Sequence, residues 1–305
     1  MKIMVKSRRC VQKKRQPRLL QYQQLGDSSI ACSEPQTQRR PLSQQGSLLQ
    51  QGVGLPPDQT GEFATERTNM VREYRNDYSS SLGREMELLI FGHAGLPVVV
   101  FPTSCGHFFE FEDRGVVDAL APRIDAGQLQ LICLDSVDME SWYNQDIPPR
   151  ERIARHMQYE DYVLSEIVPL VRGKNPDPRL TALGCSFGGY HAVNIALRHP
   201  DVFTGLLSLS GAFDLSSFLR GYYDQDCYYH LPTHYLPNLT DPWFLERCRR
   251  NRYVLATGLD DHCLAQSQEL DRLLSAKQIS HQLHIWDAYN SHDWPTWQRM
   301  VREYL

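Results

Sequence analysis

The chain has 305 residues, a formal net charge of −4 and an ordinary balance of apolar and charged residues. That length suits one large domain or two small ones, and the slight negative balance gives no electrostatic footprint for nucleic acid or a membrane surface. No run of about eighteen apolar residues occurs, so no transmembrane helix is predicted.

Eight cysteines (Cys10, Cys32, Cys105, Cys133, Cys185, Cys227, Cys248 and Cys263) are scattered without a Cys-x-x-Cys pair. Several fall in predicted strands or helices, where buried free thiols are common, which points to a reducing compartment, the cytoplasm.

Residues 1–69 are rich in Gln, Ser, Pro and Arg, with ten Lys/Arg against two Asp/Glu through Arg40. Such a stretch cannot bury enough apolar surface to offset its ordering entropy, and it lacks the apolar core of a secretory signal. A disordered basic tail, an arm for an acidic partner and a segment upstream of the true start all fit. Met70 opens Met70-Val71-Arg72-Glu73-Tyr74, where strand-like patterning begins, and is the expected start.

From residue 70 strands alternate with helices. Glu73 to Arg75 and Met86 to Phe91 read as antiparallel opening strands. Leu96 to Phe101 is continuously apolar, the mark of a strand covered on both faces. A helix is predicted over Gly115 to Ala126, a strand over Leu129 to Asp135, and a long helix over Pro148 to Arg172. Ile153, Met157, Leu164, Ile167 and Val171 line one face of that helix.

The next stretch is Leu180-Thr181-Ala182-Leu183-Gly184-Cys185-Ser186-Phe187-Gly188-Gly189-Tyr190-His191, running on into a helical pattern. An apolar strand, a Gly-x-Ser-x-Gly-Gly turn and a helix form the context of a nucleophile elbow. A serine hydroxyl is a weak nucleophile and must stand clear of the backbone within reach of a base. Gly184, Gly188 and Gly189 remove the side chains that would collide in so tight a turn. The Walker spacing fails because Tyr190 and His191 stand where Lys and Ser/Thr are required, and no dinucleotide fingerprint is present.

Gly205 to Leu209 is a further buried strand. Residues 212–250 break the alternation with Phe213, Phe218, Tyr222, Tyr223, Tyr228, Tyr229, Tyr235 and Trp243, an irregular excursion that is either a local mini-core or a pocket wall. Tyr253 to Thr257 and Leu283 to Trp286 are the last strands, with helices over Cys263 to Ala276 and Trp294 to Tyr304. The alternation implies a mainly parallel central sheet flanked by helices on both faces, within one domain over residues 70–305.

A nucleophilic serine needs a base and an acid to orient it. In the α/β-hydrolase layout the acid and then the histidine follow the serine, each on a loop after a late strand. His292 lies between the last strand and the last helix, and Asp293 is placed to cap that helix. The acid falls in Gly258-Leu259-Asp260-Asp261-His262, with Asp261 preferred to Asp260 and helix capping the competing role for either. His262 is the chief rival to His292 but precedes a helix. His191 sits on a packed helical position, and His199, His281 and His284 read as surface or strand positions. His230 and His234 are separated by Pro232 with no third ligand, and His107 with Glu110 is equally thin as a metal site. Phe187 should supply one oxyanion N–H. The loop Pro102-Thr103-Ser104-Cys105-Gly106 should supply the other, from Cys105 or, second, Ser104.

Four segments together carry a family likeness: Gly184-Cys185-Ser186-Phe187-Gly188-Gly189, Phe101-Pro102-Thr103-Ser104-Cys105-Gly106, Asp135-Ser136-Val137-Asp138 with Trp142-Tyr143, and His292-Asp293-Trp294 with Trp297. Over residues 70–305 the chain resembles the putative-esterase group of the α/β-hydrolases. That group is similar to esterase D (S-formylglutathione hydrolase), feruloyl and acetyl-xylan esterases and mycolyltransferases. The resemblance implies an α/β-hydrolase fold and a triad of Ser186, Asp261 and His292, with Trp142 and Tyr143 near a substrate pocket. Tyr222, in the aromatic excursion, is a third pocket candidate. Thr103-Ser104 replaces the His-Gly of esterase D, and Ser291 stands where relatives often carry glycine.

The expected activity is hydrolysis of a small or medium carboxylic ester through an acyl-enzyme, without metal or organic cofactor. Acyl transfer to an alcohol or amine would use the same triad, and a non-catalytic binding protein on the same fold is the third option. The expected partner is a small-molecule ester, with no nucleic acid and no membrane; a homo-oligomer is left open.

Overall fold

The computed structural model describes residues 70–287 and 289–305. The expectations for residues 1–69 lie outside the described residues.

Eight strands form one sheet in the order β1-β2-β4-β3-β5-β6-β7-β8. They are β1 (Arg72–Ser79), β2 (Arg84–Phe91), β3 (Leu96–Phe101), β4 (Leu129–Leu134), β5 (Thr181–Cys185), β6 (Gly205–Leu209), β7 (Arg252–Gly258) and β8 (His281–Trp286). β2 runs antiparallel to β1 and β4, and every other pairing is parallel, so the sheet is the mainly parallel one expected. The helices are α1 (Glu110–Asp113), α2 (Val116–Asp125), α3 (Pro149–Tyr162), α4 (Val168–Lys174), α5 (Phe187–Arg198), α6 (Gln225–Tyr229), α7 (Pro232–Tyr235), α8 (Pro242–Arg250), α9 (Leu264–Ala276) and α10 (Trp294–Tyr304).

The period-2 side-chain alternation of the strands divides the core into two layers. Val98 and Val100 of β3 join a cluster with Val116, Leu120 and Ile124 of α2 and Met300 and Val301 of α10. Val99 and Phe101 face the other way, toward Tyr159, Val163, Ala192, Ile195, Leu270 and Leu274, on α3, the turn after it, α5 and α9. Both faces are therefore covered, which is why the central strands read as unbroken apolar runs.

Three sequence expectations change. β1 extends four residues beyond the predicted Glu73–Arg75 core and starts one earlier, because a polar edge strand is held by its antiparallel ladder to β2 rather than by apolar burial. The long helix is interrupted by a π turn at Val163–Ile167. Pro169 opens the helix beyond it without an N–H to return to the preceding turn. The break shifts the buried face: Ile153, Ile167 and Val171 are buried as predicted, but Tyr159, Tyr162 and Val163 replace Met157 and Leu164 in the core. The excursion over 212–250 is not irregular throughout, since it holds α6, α7 and α8. Leu215, Leu219, Cys227 and Leu231 pack with Trp142, Phe187 and Tyr190 into a third small core, so that part of it is a mini-core, while Tyr228, Tyr235, Leu239 and Phe244 wall a cavity.

Among the described residues, no helix is long and apolar enough to cross a membrane. The six described cysteines are free thiols.

Candidate active site

Loops leave the carboxyl ends of β3, β5, β6, β7 and β8 along one edge of the sheet, the place where open α/β sheets gather their ligands. β5 ends at Cys185 and α5 begins at Phe187, so Ser186 alone makes the turn. Its φ of 55° and ψ of −121° are unfavourable for an L-residue, a strain of roughly 1–3 kcal/mol. The Ser186 N–H donates to Leu209 O at 2.8 Å, and its own carbonyl accepts the Gly189 N–H at 2.9 Å. A Cβ on Gly184 would stand 2.1 Å from the Gly188 carbonyl carbon, and one on Gly188 would stand 2.4 Å from Phe101 O. Only glycine lets strand and helix meet this closely.

His292 arrives from the loop after β8. Its Nε2 lies 2.8 Å from Ser186 Oγ, and its Nδ1 lies 3.0 and 3.2 Å from the two oxygens of Asp261. Asp293 caps α10, accepting the Thr296 N–H at 2.9 Å and the Ser291 hydroxyl at 2.8 Å, which anchors the residue next to the imidazole. Trp297 of α10 stands edge-on to the His292 ring at 5.0 Å.

The Asp261 side chain is fully buried. Burial alone would raise its pKa. Hydrogen bonds from His292, the Ser210 hydroxyl and the Cys263 N–H outweigh that effect and hold it down to about 2. The Cys263 N–H contact is 2.7 Å long. Asp260, the alternative acid, is exposed. Ser210 was not singled out from the sequence. It follows β6 with φ 52°, is completely buried, and accepts the Trp297 Nε1–H at 3.0 Å while bonding Asp261. Its only sequence signal is its place directly after a buried parallel strand.

The loop after β3 is held from both sides. Glu110 accepts the Thr103 N–H at 2.9 Å and the Thr103 hydroxyl at 2.7 Å. The Cys105 N–H donates to Asp138 Oδ2 at 3.3 Å, and Asp138 Oδ1 lies 2.9 Å from His191 Nε2. Cys105, the first choice for the second oxyanion donor, therefore has its N–H turned to a buried carboxylate. Among the described residues no acceptor engages the N–H of Ser104 or of Phe187.

The three pocket candidates separate. Trp142 is completely buried, edge-on to Tyr190, and packs instead of lining a pocket. Tyr143 is half-buried against Phe187 and Phe218, and its hydroxyl donates to Ser104 Oγ at 2.8 Å. Tyr222 is half-buried and bonded through its hydroxyl to Asp224. A separate cavity of about 390 Å³ lies at the far end of α5, between Arg198, Tyr228, Tyr235, Leu239 and Phe244, away from Ser186.

Among the described residues, two groups of side chains have the donor types and proximity to hold a metal ion: Asp261, His262, Cys263 and His292, and the buried set His156, Glu160 and His230. In the buried set the Glu160 carboxylate is already engaged, by Arg198 at 2.9 to 3.1 Å and by His199 at 2.8 Å. Burial opposes its ionisation, but bonds from His199 and His230 and the Arg198 charge hold its carboxyl well below the usual range. His107 pairs with Asp135 at 3.0 Å rather than with Glu110, and His234 Nδ1 lies 2.8 Å from the Tyr223 hydroxyl.

Strand order, the strained turn on Ser186 and the residues gathered at the sheet edge define an α/β-hydrolase. Residues 79–303 match the family model described as Putative esterase, and the chain belongs to that family of carboxylic ester hydrolases. No curated protein matches it by sequence. Among solved structures it is similar to a ferulic acid esterase (15% identity, 77% of this chain and 96% of that chain, TM-score 0.62). It is also similar to an S-formylglutathione hydrolase from Agrobacterium tumefaciens (16%, 77% and 93%, TM-score 0.60). A third is the S-formylglutathione hydrolase FrmB from Staphylococcus aureus (15%, 77% and 95%, TM-score 0.57). At these identities the likeness speaks to the fold.

Proposed function

We propose that this enzyme hydrolyses small or medium carboxylic esters through a covalent acyl intermediate on Ser186, in the cytoplasm and without a cofactor. The observation that carries this is the unbroken line from Ser186 Oγ to His292 Nε2 at 2.8 Å and from His292 Nδ1 to Asp261 at 3.0 Å. His292 takes the Ser186 proton as the oxygen attacks the ester carbonyl, then returns it to the departing alcohol. Water enters by the reverse exchange and releases the acid. Asp261, ionised and buried, holds the ring with its Nδ1 proton turned inward, so that Nε2 is free to accept.

The oxyanion is held by the N–H groups of Phe187 and Ser104. Ser104 replaces Cys105 in this role, since the Cys105 N–H donates to Asp138. Each such donor contributes about 3–4 kcal/mol to the transition state. The Tyr143 hydroxyl on Ser104 Oγ and the Glu110 clamp on Thr103 keep the loop in register. The six thiols support the cytoplasmic assignment.

A fluorophosphonate reagent should label the wild-type chain and leave Ser186→Ala unlabelled, and hydrolysis of p-nitrophenyl esters by that variant should fall by roughly 10⁴–10⁶-fold. Labelling that survives the substitution would place the nucleophile elsewhere.

A further inference from the structure

The loop after β7 carries Asp261, His262 and Cys263 in succession, and the loop after β8 brings His292 against them. One donor atom from each of these four residues lies within 4.8 Å of the other three. The His262 and His292 ring centroids are 4.1 Å apart. His262 Nδ1 is 4.0 Å from Asp261 Oδ1, and His292 Nδ1 is 3.0 Å from that same oxygen. Ester hydrolysis as described uses Asp261 and His292 but neither His262 nor Cys263. The His262 side chain is 63% exposed at the mouth of the site.

We propose that Asp261, His262, Cys263 and His292 form a zinc-binding site that switches the esterase off. A carboxylate oxygen, two imidazole nitrogens and a sulfur make up a donor set that suits Zn²⁺, with bonds of about 2.0 Å to N and O and about 2.3 Å to S. Tetrahedral bonds of that length separate the ligand atoms by about 3.3–3.5 Å. Closing from 4.8 Å takes about an ångström of side-chain rotation, which the exposed His262 supplies. The other candidate cluster, around Glu160, is a poorer host because Arg198 already neutralises its carboxylate.

The switch follows from where the ring proton sits. Neutral His292 carries one proton, on Nδ1, which leaves Nε2 open toward Ser186. Zn²⁺ bonded to Nδ1 occupies that position, so the proton relocates to Nε2 and the ring loses its capacity to accept the serine proton. Cys263 gives up its thiol proton to solvent and binds as thiolate, while Asp261 binds as the carboxylate it already is. The two positive charges of the metal meet two negative charges, and one proton leaves per ion bound.

The loss of activity rests on the assignment of His292 as the base, whereas the binding does not, and the two are measured apart. Equilibrium dialysis with ZnCl₂ and the full-length Ser186→Ala chain should give one ion per chain, and adding His262→Gln should weaken binding by about 10-fold or more. In the chain with Ser186 intact, Zn²⁺ should suppress both ester hydrolysis and fluorophosphonate labelling. EDTA should restore them, and His262→Gln should raise the half-inhibitory concentration by about the same factor, each chain being referred to its own zinc-free rate. Thermal melts in zinc-free buffer check that each variant is folded. Absence of binding, unchanged binding in His262→Gln, or metal that is lost with His230→Gln instead would overturn the site. Stoichiometric binding that leaves hydrolysis intact would overturn the switch. Activity that survives Ser186→Ala bears only on the proposed nucleophile.

Discussion

His292 pairs with Asp261 at 3.0 Å, and His191 pairs with Asp138 at 2.9 Å. Both aspartate side chains are completely buried. The pairs differ in what lies on the far side of each ring. The second nitrogen of His292 meets the Ser186 hydroxyl at 2.8 Å, and its side chain keeps 19% of its surface open. His191 keeps 3%, is enclosed by Phe101, Tyr159 and Phe187, and its aspartate spends its other oxygen on the Cys105 N–H. One pair faces a place where a reacting atom can stand. The other ties α5 to the loop after β3 and so links two parts of the proposed oxyanion hole. A histidine–carboxylate contact alone does not define a catalytic unit; access and the third partner do.

The largest expected effect separates the pairs. Asp261→Asn should lower kcat by about 10⁴-fold in a folded enzyme, because the ring is left in the wrong tautomer. Asp138→Ala should instead cost about 3–5 kcal/mol of stability, read from urea denaturation, by stranding buried polar groups. If Asp138→Ala kept its stability and lost activity as steeply, the distinction would fail.

A pH series sharpens the same contrast. The Asp261 carboxyl titrates at about 2 in the folded protein, below the ordinary 3.8. Its stabilising contribution of about 2 kcal/mol is therefore present above about pH 4 and is lost as the pH falls through 2. The stability difference between wild type and Asp261→Asn should shrink by that amount between pH 5 and pH 2, and a constant difference would contradict the depressed pKa.

Ser210→Ala comes next. It removes a hydrogen bond to Asp261 and leaves the Trp297 Nε1–H without its acceptor. A loss of about 1–2 kcal/mol in stability and about tenfold in kcat, with KM unchanged, is expected. The smallest effects lie in the flanking aspartates. Asp293→Ala should cost about 1 kcal/mol as a lost helix cap, while the exposed Asp260→Ala should stay within about 0.5 kcal/mol of wild type and keep its activity. Exchanged outcomes for Asp260 and Asp261 would reverse the choice of acid.

What could be read ahead of the fold was whatever depends on near neighbours. α10 occupies Trp294–Tyr304, as its spacing predicts, because the Asp293 cap, Pro295 and the buried face of Trp297, Met300 and Val301 all lie within three turns. The elbow was legible for the same reason: its glycines, serine and helix are contiguous. The break in the long helix had a local sign in Pro169, but the apolar period ran through it and masked the π turn. Trp142 read as a pocket residue, yet its burial depends on Tyr190 and Phe218, which are remote in the chain.

The amino-acid sequence by itself determined the alternation of strands and helices, the strained serine turn, and the narrow windows after β7 and β8 that hold an acid and a histidine, since each is written in short-range pattern and turn chemistry. Only the tertiary structure decided which of two adjacent aspartates is buried, that Ser210 and Trp297 stand behind it, and that Asp138 takes the Cys105 N–H and leaves Ser104 open. Those choices rest on contacts between residues 31 to 106 positions apart, which depend on how strands stack at one sheet edge.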